Sequence, residues 1–181
     1  HLSPEELHKL EEVQLTEKFA KLQKPKDAFL FCCYAGLRYS DFTHLTSENI
    51  IEFHKEFWLI YKSVKTGTEV RLPLYLLFEG KGIHILHRYK NDLNSFFKLK
   101  DNSNLNKELN VLAKLAGISK HISFHTARHT NATLLIYNGA NITTVQKLLG
   151  HKSVKTTQVE ANIRDITSEP DLEKAASQKT E

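Results

Sequence analysis

The sequence predicts a mainly helical domain that carries one small three-stranded antiparallel β-sheet. Apolar residues recur at helical spacing through most of the 181-residue chain. Between Ile50 and Leu74 this spacing changes to the alternation that is typical of short strands. Hydrophobic residues make up 40% of the chain and charged residues 25%, which is ordinary for one domain with a sizeable buried core.

Two helices are predicted before the sheet. The first should begin at Ser3, because a serine N-cap, Pro4 in the first helical position and Glu6 three residues after the cap form a capping-box pattern. The second, Asp27 to Ala35, is apolar almost all round, as expected of a central buried helix. Gly36 is placed to end it.

Two adjacent cysteines, Cys32 and Cys33, lie inside the second helix. Neighbouring side chains on a helix point in different directions, so we interpret both cysteines as small core residues and expect no disulfide. Arg38 follows this helix on a turn.

Three short segments, IIEF, FWLIYK and EVRLPL, are predicted to form the sheet, with Gly67 in the linker between the last two. After Pro73 the helical spacing returns, and Gly117 and Gly139 are interpreted as helix stops. The helices predicted in this half of the chain are Gly80–Phe97, Leu105–Ala116, His125–Asn138, Ile142–Leu149 and Ser153–Ile163.

The distribution of charge is more informative than the net charge of +4. From Leu109 to Val159 the chain has six Lys or Arg and four His but no Asp or Glu, a composition that suits a polyanionic partner. From Arg164 onward the balance reverses, with five acidic residues against three basic ones. We therefore expect the C-terminal tail to avoid DNA.

Other features bear on the setting of the protein. No apolar run approaches the roughly 20 residues of a membrane-spanning helix, and the first residues have no apolar signal stretch, so we expect a cytoplasmic protein without a membrane partner. The chain begins with histidine and contains no methionine, which favours an excerpt of a longer protein.

Four polar segments interrupt the core pattern: AGLRYSD, VKTG, HTARH and LLGHKS. His125 and Arg128 are three residues apart on one predicted helix and should share a face. His125 and His129 also have the spacing of a helical metal-binding pair. Because the stretch Leu109–Val159 has no carboxylate to complete such a site, we expect neither a metal nor a cofactor.

These segments resemble, in their order and local context, the catalytic domain of tyrosine recombinases, the phage-integrase family. The resemblance covers about residues 3 to 163. AGLRYSD resembles the family's first arginine motif, KTG its hairpin lysine motif, and HTARHTNATLL its His-x-x-Arg motif. LLGHKSVKTTQVEANI is similar to the segment that holds the third basic residue and the nucleophile.

The resemblance implies metal-free cleavage of a phosphodiester. Arg38 and Arg128 would donate paired N–H bonds to the nonbridging oxygens of the transition state, and His151 would add a further donor. Lys65 would protonate the leaving 5′ oxygen and His125 would assist proton transfer at the attacking group. Asp41 would orient Arg38.

The chain departs from the family at the nucleophile. The tyrosine is expected nine residues after His151, where this chain has Glu160, and no tyrosine follows Tyr137. Tyr137 is a conceivable substitute, but we expect it to pack. An acyl phosphate formed by Glu160 would be too labile for religation. Two interpretations stay open: a recombinase domain that is cleavage-defective, and a relative that binds DNA without cutting it.

The domain organisation follows from the same resemblance. We expect a catalytic domain over residues 1–163, a C-terminal tail over 164–181 that is exchanged between protomers, and a DNA-binding domain before the chain. The expected partner is double-stranded DNA, bound by a homotetramer, with the isolated fragment able to exist as a monomer. A type IB topoisomerase uses similar chemistry, but it should be larger and also requires the tyrosine.

Overall fold

A computed structural model describes residues 1–160 of the chain. Within this range the protein is mainly helical and has one three-stranded sheet, which confirms the predicted fold class. The helices are α1 (Pro4–Glu12), α2 (Gln23–Ala35), α3 (Tyr39–Thr43), α4 (Lys81–Arg88), α5 (Leu93–Phe97), α6 (Asn102–Leu115), α7 (Phe124–Tyr137), α8 (Ile142–Leu149) and α9 (Val154–Glu160).

The sheet lies between α3 and α4 in sequence and consists of β1 (Ile50–Phe53), β2 (Glu56–Lys62) and β3 (Glu69–Pro73), in that spatial order. Both pairs are antiparallel, as predicted. Leu59 lies opposite Leu72, and Tyr61 lies opposite Val70. All four side chains are buried, so this face of the sheet packs on the core.

Helix α2 forms the centre of the domain. Every residue from Pro25 to Ala35 is buried, including Cys32 and Cys33, which are free thiols. Helices α4, α6 and α7 pack around α2, so the helix has no solvent-facing stripe. Gly36 ends α2 in the left-handed conformation with φ of 72°, as the sequence predicts.

The first helix begins as its capping box predicts. The Glu6 amide donates to the Ser3 hydroxyl, and the Ser3 amide donates to the Glu6 carboxylate. Leu7 and Leu10 then bury one side of α1. Before the helix, the Leu2 amide donates to Thr130 Oγ1 at 2.9 Å, which joins the start of the chain to α7.

The single helix predicted over Gly80–Phe97 is wrong, because the chain forms α4 and α5 with a turn between them. Asp92 causes the restart: its carboxylate accepts from the Ser95 amide and caps α5. Helix α3 and the 3-10 segment Glu17–Leu22 were not predicted, because segments this short carry little periodicity. Gly117 and Gly139 have positive φ, as their prediction as helix stops requires.

The final predicted helix, Ser153–Ile163, starts at Val154 and is described as far as Glu160. Its last residues and the predicted tail over 164–181 lie outside the described residues. Among the helices of residues 1–160, none is long and apolar enough to cross a membrane.

Candidate active site

Arg128 lies at the junction of three helices and is completely buried. From α7, its Nη1 donates to the Gly36 carbonyl oxygen at the end of α2, at 2.7 Å. Its Nη2 donates to the Leu149 carbonyl oxygen at the end of α8, at 2.9 Å, and lies 2.6 Å from Nε2 of His151. Arg128 therefore joins the helix ends that precede Arg38 and His151.

His151 is buried between Arg128 and α9. Its Nδ1 lies 2.9 Å from Oγ1 of Thr157, which is itself fully buried. A guanidinium can only donate, so Nε2 has to be the acceptor in the contact with Arg128. With Nε2 as the acceptor, the ring N–H is at Nδ1, which donates a hydrogen bond to Oγ1 of Thr157. We call Gly36, Arg128, Leu149, His151 and Thr157 the Arg128 cluster.

Two glycines allow the helix ends to approach this closely. A Cβ atom on Gly36 would lie 2.6 Å from Leu149 Cδ2 and 2.7 Å from Asn131 Oδ1. A Cβ atom on Gly150 would lie 2.6 Å from Val70 Cγ2 on β3. Both glycines also have φ near 70°, where a side chain is strained. The glycines of the AGLRYSD and LLGHKS segments are thus required by the packing of the site.

Arg38 follows α2 and precedes α3, and 16% of its side chain is exposed. Its Nη1 is 3.7 Å from Oδ2 of Asp41, whose side chain is buried. The other oxygen of Asp41, Oδ1, accepts from the Val64 amide at 2.8 Å. Asp41 therefore faces Arg38, as the resemblance implies, and also connects it to the turn between β2 and β3.

That turn carries Lys65, which is exposed. The turn is closed by two backbone bonds, from the Ser63 amide to the Thr68 carbonyl oxygen and from the Gly67 amide to the Ser63 carbonyl oxygen, both 2.8 Å. The bond from Val64 to Asp41 holds the base of the turn beside Arg38. The tip that carries Lys65 projects from this anchored base.

Tyr61 shows that both arginines share one region. Burial raises the pKa of its phenol, and the negative charge of Asp41 raises it further. The positive charges of Arg128 and Arg38 act in the opposite direction on the same phenol. Arg38, Arg128 and Asp41 therefore lie within electrostatic range of one buried side chain, and Tyr61 stays protonated.

His125 lies in the first turn of α7 and is exposed, although Arg128 three residues later is buried. Its ring is 4.4 Å from that of His129, centroid to centroid, in an edge-to-face arrangement. Within residues 1–160 there is no group of three or more His, Cys, Asp or Glu side chains placed to share a metal ion. His125 is therefore on the surface at the start of α7, three residues before the buried Arg128.

Two further residues concern the nucleophile. Glu160 is the last residue of α9, and its side chain lies outside the described part of the structure. Tyr137 ends α7 nine residues after Arg128, about 13 Å along the helix axis. It is 38% exposed there, so the prediction that it packs is wrong.

A comparison with known families places the chain. Residues 2–165 match the model of the phage integrase family. The chain belongs to the phage integrase family. This integrase-family domain is also 31% identical, over 90% of its length, to the tyrosine recombinase XerD of Oceanobacillus iheyensis. The match spans 57% of that relative, so the chain corresponds to little more than half of it.

Solved structures confirm the fold of the integrase-family domain. A crystal structure of XerA recombinase matches all of the chain and 65% of its own, with a TM-score of 0.71 and 22% identity. A lambda integrase dimer bound to a core site matches 88% of the chain and 58% of its own, with a TM-score of 0.69 and 18% identity.

Sequence reasoning missed Asn131 and Thr157. Asn131, one turn after Arg128, donates from Nδ2 to the carbonyl oxygens of Cys33 and Tyr34 at 2.9 and 3.0 Å. It therefore helps Arg128 to hold the end of α2. One signal was available: Asn131 is a polar residue at an otherwise apolar position of a buried helix, which indicates a hydrogen-bonding role.

The contacts of Asp41 lead to a first prediction. Asp41→Leu removes the acceptor for the Val64 amide, whereas Asp41→Asn keeps an oxygen there and removes only the charge. We expect the leucine variant to lose about 1–3 kcal/mol of unfolding free energy from this unmet hydrogen bond. The Val64 amide should exchange its hydrogen faster in Asp41→Leu than in Asp41→Asn, as measured by NMR. Equal exchange in the two variants would show that Asp41 does not anchor the turn.

Proposed function

We propose that this chain is the catalytic domain of a site-specific DNA recombinase, and that Glu160 at the position of the nucleophile leaves it unable to cleave DNA. The observation that carries the proposal is the set of bonds made by Arg128. By joining the end of α2 to the end of α8, Arg128 connects the segments of Arg38 and His151. These bonds support the proposal that basic residues far apart in sequence serve one site.

The proposed reaction transfers a 3′ phosphoryl group without a metal. With a tyrosine at position 160, its oxygen would attack the phosphorus, the bond to the 5′ oxygen would break, and that oxygen would take a proton from Lys65. Arg38, Arg128 and His151 stabilise the charge on the nonbridging oxygens, and His125 assists removal of the phenolic proton. The exposed tip that carries Lys65 suits a group that has to reach a leaving oxygen.

The protonation state of His151 adds one requirement to this scheme. In the structure, Nε2 of His151 accepts from Arg128 and so cannot donate to a phosphate. Donation to a phosphate requires that Nε2 takes up a proton from solvent and that its contact with Nη2 of Arg128 is released. We infer that the arrival of the phosphate exchanges this internal hydrogen bond for bonds from both residues to the nonbridging oxygens.

Glu160 also favours a second candidate, a relative that binds DNA without cutting it. In that case the five basic residues persist only as phosphate-binding groups: Arg38, Lys65, His125, Arg128 and His151. The two candidates share the DNA-binding step and differ in whether a tyrosine at position 160 restores cleavage. That substitution separates them and is considered in the Discussion.

Double-stranded DNA is the proposed partner. The charged residues support this: Lys114, Lys147, Lys152 and Lys155 of the acid-free stretch Leu109–Val159 are all exposed. The lambda integrase structure with the same fold is described as a dimer bound to a core site. From the family resemblance we further propose a tetramer on DNA, a preceding DNA-binding domain and a tail over 164–181 that is exchanged between protomers.

Salt dependence tests the DNA-binding step. Affinity should come mainly from phosphate contacts and should fall steeply between about 50 and 200 mM salt. The double variant Lys147→Gln/Lys152→Gln should reduce the slope of log K against log salt by about 2, because each lost phosphate contact contributes roughly 0.9. Fluorescence anisotropy with a labelled duplex measures both quantities.

The control is Lys18→Gln, which removes an exposed lysine outside the acid-free stretch. This variant should keep the slope of the unchanged chain. An affinity that does not change with salt would contradict the proposed DNA-binding surface. An equal decrease of the salt slope in Lys18→Gln and in the double variant would contradict it too.

A further inference from the structure

Thr157 is a buried residue on helix α9, although its neighbours in sequence are exposed. It has no exposed surface, whereas Lys155, Thr156, Gln158 and Val159 around it on α9 are all exposed. Its hydroxyl oxygen lies 2.9 Å from Nδ1 of His151. The position that α9 inserts into the protein thus carries a polar side chain directed at a predicted catalytic residue.

The ring of His151 is oriented by the partners of its two nitrogens. The backbone of His151 is already held by Gln146, whose carbonyl oxygen accepts from the His151 amide at 3.0 Å and whose side chain donates to the His151 carbonyl oxygen at 3.1 Å. These bonds place the Cα atom but leave the side-chain torsions undetermined. The contacts of Nδ1 with Thr157 and of Nε2 with Arg128 determine the position of the ring.

We propose that Thr157 is a positioning residue for His151: its hydroxyl accepts a hydrogen bond from Nδ1–H and so keeps the Nε2 lone pair directed at Arg128. The choice of tautomer follows from the donor and acceptor capacity of the groups. Arg128 cannot accept, so its hydrogen bond to His151 exists only while Nε2 is unprotonated, and a neutral ring then carries its proton on Nδ1. A hydroxyl oxygen can accept a hydrogen bond from Nδ1–H, whereas the apolar side chain of valine, which has the same shape, cannot.

Nε2 of His151, and not Nδ1, is the nitrogen that would face a phosphate. An acceptor on Nδ1 stabilises the ring when Nε2 gains a proton, because the Nδ1–H bond to Thr157 persists in the charged ring. Thr157 therefore supports both states that the proposed reaction requires: the neutral ring bound to Arg128 and the charged ring that donates to a phosphate. This consequence for cleavage rests on the proposed function. The hydrogen-bond relay, in which Arg128 donates to His151 and His151 donates to Thr157, does not.

The first test reads the tautomer directly in the unmodified 181-residue chain. Two-dimensional correlation of the ring nitrogens and carbon-bound protons by NMR distinguishes Nδ1–H from Nε2–H imidazole. At a pH where the ring is neutral, we expect His151 to be Nδ1–H in the chain itself and in Thr157→Ser. Thr157→Val should move it toward the Nε2–H form. Thr156→Val, which changes the exposed neighbour, should leave it unchanged.

The second test measures function in a Glu160→Tyr background, as the single-turnover rate of covalent attachment to DNA. Thr157→Val should lower this rate about tenfold, the effect of one lost buried hydrogen bond, and serine should restore it. The pH profile should change with valine and not with Thr156→Val. Loss of stability alone would leave that profile in place.

The outcomes separate the two proposals. An Nε2–H tautomer for His151 in the unmodified chain, or the same tautomer in Thr157→Val as in Thr157→Ser, overturns the role of Thr157. If the tautomers behave as expected but Glu160→Tyr forms no adduct, the relay stands and the proposed function fails.

Discussion

Glu160→Tyr is expected to convert a chain that leaves DNA intact into one that becomes attached to it through a 3′ phosphotyrosine bond. Position 160 is nine residues after His151, where the family resemblance places the nucleophile. The other residues of the proposed reaction are present as Arg38, Lys65, His125, Arg128 and His151. Restoring one side chain should therefore complete the set.

The physical reason lies in the charge of the attacking group. A carboxylate at position 160 is negative and would approach a phosphate that is already anionic. A carboxylate also competes with the phosphate for the guanidiniums that the transition state needs. A phenol arrives neutral, loses its proton during the attack and leaves an ester that is stable enough to await the second strand.

The measurement uses a nicked suicide duplex that carries the proposed recognition site and compares the two residues at position 160 in the 181-residue chain. A denaturing gel should show a covalent protein–DNA adduct with tyrosine and none with glutamate. Phenylalanine at 160 is the matched control, because it has the shape of tyrosine without its hydroxyl, and it should form no adduct. An adduct with glutamate, or none with tyrosine, would contradict the assignment of this position.

The sequence was sufficient to predict the fold class because local signals and tertiary packing agree over most of the chain. The capping box at Ser3, the apolar segment of α2 and the alternation in β2 and β3 each appear in the structure at or near their predicted positions. The predicted helix over Gly80–Phe97 failed, because Asp92 caps a new helix inside a pattern that otherwise looks continuous.

The contacts of the site were less predictable, because they join residues that are distant in sequence. The motif spacing indicated that Arg128 and His151 serve one site, but not that Arg128 would be buried against the carbonyl oxygens of Gly36 and Leu149. Spacing on a helix also suggested that His125 and Arg128 share a face, yet one is exposed and the other is buried. Burial depends on which helices pack against α7, and one segment alone does not contain that information.

The buried position of Arg128 has a large expected effect on stability. Arg128→Met keeps a side chain of similar length but leaves three acceptors without their donor: the carbonyl oxygens of Gly36 and Leu149 and Nε2 of His151. Each buried acceptor that loses its partner costs about 1–3 kcal/mol. Removing a buried charge returns part of this through the smaller desolvation cost. We expect a net loss of about 3 kcal/mol of unfolding free energy, a large fraction of the stability of a typical domain.

His125→Ala is the matched control for this effect. His125 lies on the same helix and is predicted to act in the same reaction, but it is exposed, so its removal should change the unfolding free energy by about 0.5 kcal/mol or less. Urea unfolding followed by circular dichroism compares the two variants. Equal stabilities for Arg128→Met and His125→Ala would show that the bonds of Arg128 do not hold the helix ends together.

Arg128→Lys extends this prediction, because it separates charge from geometry. An ammonium keeps the positive charge but concentrates its donors on one nitrogen, whereas the two Nη atoms of Arg128 reach the ends of α2 and α8 at the same time. The lysine variant should therefore be destabilised by more than about 1 kcal/mol, although its net charge is unchanged. If the lysine variant had the same unfolding free energy in urea as the unchanged chain, the positive charge alone would explain the stabilising effect of Arg128. The bonds from Arg128 to the two helix ends would then not be needed for it.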